Sequence, residues 1–168
     1  MALIVEDGTG KVDAESYESV ANYRAYHAKF GNDVTAELDA DIEIRLRKAT
    51  DYMVTTFRGY WKKMRTVYNQ ALDWPRYLVE RDANNFIGSN EVPVEVKAAC
   101  CVLAYVVKTT PLVPTSIGRG KKSVKIGPLA VEFDGSGDSA PAFIGAVGRL
   151  APLLTAAASG NTVGLVRC

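Results

Sequence analysis

The stretch from Pro93 to Lys108 constrains the fold more than any other. Wound as a helix it is apolar nearly all round, with Val94, Val96, Ala98, Ala99, Cys100, Cys101, Leu103, Ala104, Val106 and Val107. Such a helix belongs at the centre of a bundle or against a neighbouring subunit, because elsewhere water would meet its apolar side chains. Pro93 suits the first helical position, where proline's missing N–H costs nothing, and Glu95 is favourable beside the positive end of the dipole. The longest apolar run, Ala98 to Val107, is too short for the roughly 20 residues of a membrane-spanning helix.

Two helices are expected upstream of this centre. The first runs from about Ser16 to Lys29, with Asp13 or Ser16 capping its amides, a stripe through Tyr17, Val20, Ala21 and Tyr23 or Arg24, and Gly31 ending it. The second runs from about Thr35 to Phe57. Its Ile42, Leu46, Ala49, Met53 and Phe57 step by four, three, four and four, which is one helical face. The opposite face, with Glu43, Arg45, Arg47, Lys48 and Asp51, reads as solvated or partner-facing. Before them, Leu3-Ile4-Val5 is strand-like and Asp7-Gly8-Thr9-Gly10 is a turn cluster.

Residues 58–92 read as irregular, and Pro75 disfavours helix at Trp74. Beyond Pro111 and Pro114 the period changes. Val124 and Ile126, then Leu129, Val131 and Phe133, alternate around Gly127-Pro128, so a β-hairpin or pair of short strands is expected near 123–133. A last short helix follows from Pro141 to about Leu150 or Leu154. The predicted fold is mainly α: a small bundle of three to four helices with that hairpin, forming one domain over 1–158. Residues 159–168 form an extended C-terminal tail whose Val163, Leu165 and Val166 call for a partner; nine extended residues reach ~30 Å.

No residue pattern points to catalysis, a cofactor or a metal, and the expectation is that the chain is not an enzyme. The one histidine, His27, reads as a surface or packing residue. Cys100 and Cys101 are adjacent on a helix, so their side chains diverge by ~100° and cannot share a zinc; they read as small buried hydrophobes. The glycine-rich segments 8–10, 118–120 and 135–137 lack the Lys-Ser/Thr ending of a phosphate loop. Three cysteines make no disulfide framework, which fits a reducing compartment, and no basic region precedes the first apolar stretch, so no signal peptide is expected.

Two basic clusters point toward nucleic acid. Arg58, Lys62, Lys63 and Arg65 are interleaved with Tyr60, Trp61 and Tyr68, residue types that stack bases while cations hold phosphates. Arg119, Lys121, Lys122 and Lys125 form a second cluster. The competing reading is a pair of solvated loops with Trp61 packed into the core. Trp74 is the expected anchor under the 70–76 loop, with a partner surface as its alternative. Whole-chain charge argues against a surface that grips nucleic acid everywhere, since 20 Lys+Arg face 19 Asp+Glu. The balance is uneven: residues 1–51 carry 11 acids and 6 bases, residues 52–168 carry 8 acids and 14 bases.

Several segments together resemble a known family. They include Met1–Gly10, Asp13–Tyr17, Tyr26-His27-Ala28, Lys48–Tyr52, Phe57-Arg58-Gly59, Gln70–Arg76, Val92–Lys97, Gly127–Phe133 and Leu165–Cys168. The resemblance is to small phage proteins often labelled DnaT-like single-stranded DNA-binding proteins, similar in size and layout to the head–tail adaptor (connector, or head-completion) proteins of tailed bacteriophages. It covers nearly the whole chain, and its motifs are structural.

The adaptor side of this resemblance implies a structural virion protein at the head–tail junction, assembled in the host cytoplasm. It implies a homo-oligomeric, dodecameric ring under the phage portal protein, contacting a tail-side neck or tail completion protein, with DNA passing through without sequence-specific binding and no membrane involved. Thr162, Val163, Leu165, Val166 and Arg167 would then reach the portal, and the two basic clusters would line the channel. Acids such as Glu37, Asp39, Asp41 and Glu43 would face bases of the adjacent subunit, or else belong to one of two differently charged solvated surfaces. The alternative function is a single-stranded DNA-binding protein.

Overall fold

The computed structural model describes residues 2–112, 123–126, 129–132 and 144–155. The chain is a mainly α domain. Its described helices are α1 (Val20–Lys29), α2 (Asp39–Phe57), α3 (Val94–Val106) and α4 (Ile144–Leu150), the last followed by a 3₁₀ turn at Ala151–Leu153. Between α2 and α3 lie two small antiparallel ladders: β1 (Met64–Arg65) with β2 (Arg76–Tyr77), and β3 (Glu80–Asp82) with β4 (Asn85–Phe86). A third pairs β5 (Ser123–Ile126) with β6 (Leu129–Glu132), in the register Ser123 to Glu132 through Ile126 to Leu129. That is the hairpin expected from the alternation there.

The central place of α3 follows from its composition. It packs against α1, α2 and α4, and its Val96, Ala99, Cys100, Leu103 and Ala104 are wholly buried. The α2 stripe meets it: Ile42, Leu46, Ala49 and Met53 are wholly buried and Phe57 nearly so, each such side chain contributing roughly 1.5–3 kcal/mol for the larger residues. α4 adds Ala146 and Leu150. Both thiols lie inside this packing, and burial pushes Cys100 up to about 11.

Helix starts differ from the sequence reading for local reasons. α1 begins at Val20 because Ser19 is the cap, its hydroxyl accepting from the Asn22 N–H at 3.2 Å. Ser16 is occupied elsewhere: its hydroxyl bonds both backbone groups of Glu18, and its own backbone bridges Val5. α2 begins at Asp39 rather than near Thr35. Asp33 accepts from the backbone and hydroxyl of Thr35, while Arg24 donates to the carbonyls of Val34, Thr35 and Glu37. The Asp33–Thr35 bonds form a local turn that competes with a helical start there. The Leu3–Val5 run forms only the single parallel bridge of Val5 to Ser16, not a strand.

Several acids of the N-terminal third pair with bases of the same chain. Glu37 pairs with both Arg45 and Lys108, Asp39 with Arg24, Glu43 with Arg47, and Glu15 with Arg47. Burial opposes ionisation of Glu37, but hydrogen bonds from Arg45 and Lys108 outweigh it and hold its carboxyl below the usual range. Asp41 is exposed, and its backbone carbonyl accepts from Arg45 Nε. Of the acids expected to face a neighbouring subunit, Glu37, Asp39 and Glu43 meet bases of their own chain. The α2 face read as solvated is also less so, because Arg45 is buried beneath that network with its guanidinium 5.7 Å from the Tyr23 ring.

Candidate nucleic-acid interface

The region between α2 and α3 is held together by polar groups from beneath. Arg76 is buried, and its guanidinium donates to the carbonyls of Lys62 at 2.8 Å, Asp73 at 3.1 Å and Lys63. Lys63 itself takes a left-handed backbone, φ 60°, which a non-glycine residue keeps only where its surroundings enforce it. The segment after α4 clamps the same stretch: Lys62 N–H donates to Leu153 C=O, Thr155 N–H to Tyr60 C=O, and Lys62 Nζ reaches Pro152 C=O at 2.6 Å. The backbone of residues 60–63 is thus fixed on two sides.

A second frame supports the loop that follows. Gln70 is buried and uses both ends of its amide: Oε1 accepts from Val67 N–H, and Nε2 donates to the carbonyls of Leu72 and Pro75. Thr66 bonds Pro75 and Ser89, and Ala71 N–H donates to Lys11 C=O. The N-terminal turn packs behind this loop, organised by the buried Glu6 carboxylate, which accepts the N–H groups of Gly8, Gly10 and Lys11. Gly10 stands so close to Val67 that a Cβ would approach its Cγ2 to 2.7 Å.

Upon this framework the chain displays aromatic and apolar side chains to water. Tyr68, at the tip of the Gln70-braced loop, is 96% exposed, and Tyr60, Met64, Tyr77, Leu78 and Phe86 are exposed as well. Met64 and Tyr77 are directly opposite in the β1–β2 ladder and so share one side of it. Exposed cations run through the same stretch: Arg58, Lys63 and Arg65 are exposed and Lys62 is half-buried, with no acid between positions 58 and 65. Exposed aromatics on a braced backbone, interleaved with lysines and arginines, are the elements of a stacking platform for unpaired bases.

The sequence reading of this cluster is divided by the structure. Trp61 is buried, stacked edge-on against Phe57 (6.0 Å) and Trp74 (5.8 Å), with Nε1–H donating to Asp73 Oδ2 at 3.2 Å. Of the two readings of Trp61 it takes the core one and does not face a base. Trp74 is wholly buried. Tyr77, Phe86, Met64 and Leu78 were absent from the sequence reading. Their exposure has no periodic signal, because Leu78 lies in the left-handed region (φ 53°) and interrupts the alternation of side chains. The second basic cluster is not placed here: Arg119, Lys121 and Lys122 lie outside the described residues, and Lys125 is described only as part of β5. Thr162, Val163, Leu165, Val166 and Arg167, with the whole expected tail, also lie outside them.

His27, read as a surface or packing residue, is a packing one. Its Nδ1 accepts from Asn32 Nδ2 and its Nε2–H donates to Cys101 C=O, both at 3.1 Å, with Tyr105 stacked on the ring at 4.7 Å. Burial lowers its pKa below the ordinary value. Among the described residues no three His, Cys, Asp or Glu side chains converge on a metal-sized site, and no helix is long and apolar enough to cross a membrane.

Comparison with known proteins decides between the two sides of the resemblance. The model of the family described as "Putative DnaT-like ssDNA binding protein" matches residues 1–168, the full sequence. The chain belongs to that family. No curated protein and no solved structure matches it. Membership in the DnaT-like family overturns the head–tail adaptor expectation: the dodecameric ring, the portal and tail-side partners and the virion role have no finding behind them. In this DnaT-like chain Glu37, Asp39 and Glu43 are paired with bases of the same subunit.

Proposed function

We propose that the chain binds single-stranded DNA through the layer formed by residues 58–86. The observation that carries this reading is Tyr68, almost wholly exposed on a loop whose every turn is braced by Gln70, Thr66 and Lys11. The braces fix the backbone that carries Tyr68, and its ring, almost wholly in water, offers an uncovered aromatic face to a stacking partner. Tyr60, Tyr77 and Phe86 supply further faces, and Lys62, Lys63 and Arg65 supply charge for phosphates. Stacking tolerates every base, so the binding is sequence-tolerant. The family match to a DnaT-like ssDNA-binding description supports the same reading. The near-neutral total charge argues for a local rather than a whole-surface electrostatic grip. The role is that of a binding module, not an enzyme.

The test is fluorescence anisotropy with a labelled dT oligonucleotide and a duplex of equal length across a salt series. Binding favours the single strand and weakens linearly in log salt by about 0.7 for each phosphate neutralised. Tyr68→Ala weakens binding roughly 5- to 150-fold, the value of one stacked base. Lys63→Ala with Arg65→Ala lowers the salt slope by about 1.4. Absence of salt-dependent binding, or equal binding by these variants, refutes the proposal.

A further inference from the structure

At the C-cap of α2, Arg58 meets an unusual partner. Its side chain is 55% exposed, yet its Nε–H donates to Oδ1 of Asp73, whose side chain is only 2% exposed, at 3.0 Å. The other carboxylate oxygen, Oδ2, accepts Trp61 Nε1–H at 3.2 Å. Asp73 is itself pinned through its backbone: its N–H donates to Tyr17 Oη at 3.0 Å, and its C=O accepts from Arg76 Nη1 at 3.1 Å. The carboxylate therefore cannot follow Arg58 outward. Among the described residues the bond to Asp73 runs through Nε, neither Nη is seen to bond a partner, and the side chain as a whole is more than half exposed.

A guanidinium carries five donors in a rigid plane. One is spent on Asp73 through Nε, and the two Nη groups remain for a further partner. We propose that Arg58 is a phosphate fork of the single-stranded DNA interface and that Asp73 is the positioning residue that aims it. The inference rests on the single-stranded DNA reading above. It adds the assignment of one backbone phosphate to one side chain and the reason that side chain is arginine. Lysine has a single ammonium, a point charge rather than a fork, and beside a buried carboxylate it would be drawn to that partner. Arginine satisfies Asp73 through Nε and keeps a bidentate edge for phosphate. A buried carboxylate left without its cation would be costly, so Arg58 stays seated at the site before DNA arrives.

The experiment uses the full-length chain, a dT oligonucleotide and the same salt series, with Arg58→Lys, Arg58→Gln and Asp73→Asn, each checked by circular dichroism and thermal melting. Arg58→Gln is expected to weaken binding about tenfold, the value of a charge-assisted hydrogen bond. It should also reduce the salt slope by up to about 0.7. Arg58→Lys, with its charge kept, should lose nearly as much affinity. Asp73→Asn should weaken binding in the wild-type background and leave it unchanged in the Arg58→Gln background, a coupling that a purely structural role would not produce. Wild-type affinity in Arg58→Lys overturns the fork, and additive effects of the Asp73 and Arg58 changes overturn the positioning. Should Asp73→Asn fail to fold, the Arg58→Lys comparison decides alone. If the unsubstituted chain binds no oligonucleotide, the DNA reading itself fails, an outcome distinct from any of these.

Discussion

Trp74 offers a sharp test of the packing described here. It is wholly buried, at 0% exposure, and heads the fully buried side chains by volume. Its ring meets Trp61 edge-on with centroids 5.8 Å apart and planes at 86°. Its Nε1 has no hydrogen-bond partner among the described residues. Trp74→Ala removes the whole indole and leaves a cavity, which costs about 3–5 kcal/mol, with the lost aromatic pair of about 0.5–1.5 kcal/mol counted within that range. Trp74→Phe should cost less than Trp74→Ala, because it leaves a smaller cavity, keeps a ring against Trp61 and deletes an N–H that has no bond to lose. Urea unfolding followed by far-ultraviolet circular dichroism measures both, since the signal does not depend on either tryptophan's fluorescence. Domains of this kind have 5–15 kcal/mol in all, so the alanine variant should show a strongly lowered midpoint at unchanged slope. A cost below about 1 kcal/mol for alanine, or equal costs for phenylalanine and alanine, would refute the reasoning.

Two further outcomes follow from buried groups. His27 is kept neutral by burial, so the unfolded chain takes up a proton near pH 6.5 that the folded chain refuses; stability is present above that pH and falls as pH drops below it. His27→Gln should flatten the fall in melting temperature between pH 7.5 and 5.5, and a difference equal to wild type counts against this account. Gly8 has φ 105°, and a Cβ there would lie 2.0 Å from Asn90 C=O. Gly8→Ala should therefore destabilise by more than about 1 kcal/mol in chemical denaturation, and a neutral result would show that the turn can move away.

The helical part of this fold was legible because its signals are local. The four-three-four-four stepping of Ile42, Leu46, Ala49, Met53 and Phe57 identifies the face of α2 that is buried, and alternation around Gly127-Pro128 identifies the β5–β6 pair. Boundaries were less legible where side chains compete for backbone groups. Thr35 looked like a helix start until Asp33 and Arg24 claimed the surrounding amides and carbonyls. The candidate site was half legible. Its cations and Tyr68 stand in one run of sequence, but Trp61 and Tyr60, one residue apart, go to opposite fates.

The sequence by itself determined that a nearly all-apolar helix after Pro93 would be covered, at the centre of a bundle or against a neighbouring subunit, in a mainly α domain. The structure places it at the centre. The sequence required such cover because water would otherwise meet the helix's apolar side chains. It also marked the basic, aromatic stretch near residues 58–68 as a candidate for nucleic acid. Only the tertiary structure decided which of those aromatics face water and which cations have a free edge. The loop that carries Tyr68 is braced by Gln70, and the placement of Arg58 depends on Asp73, 15 residues away. Distant residues meet only when the chain has folded, so no local pattern records their meeting.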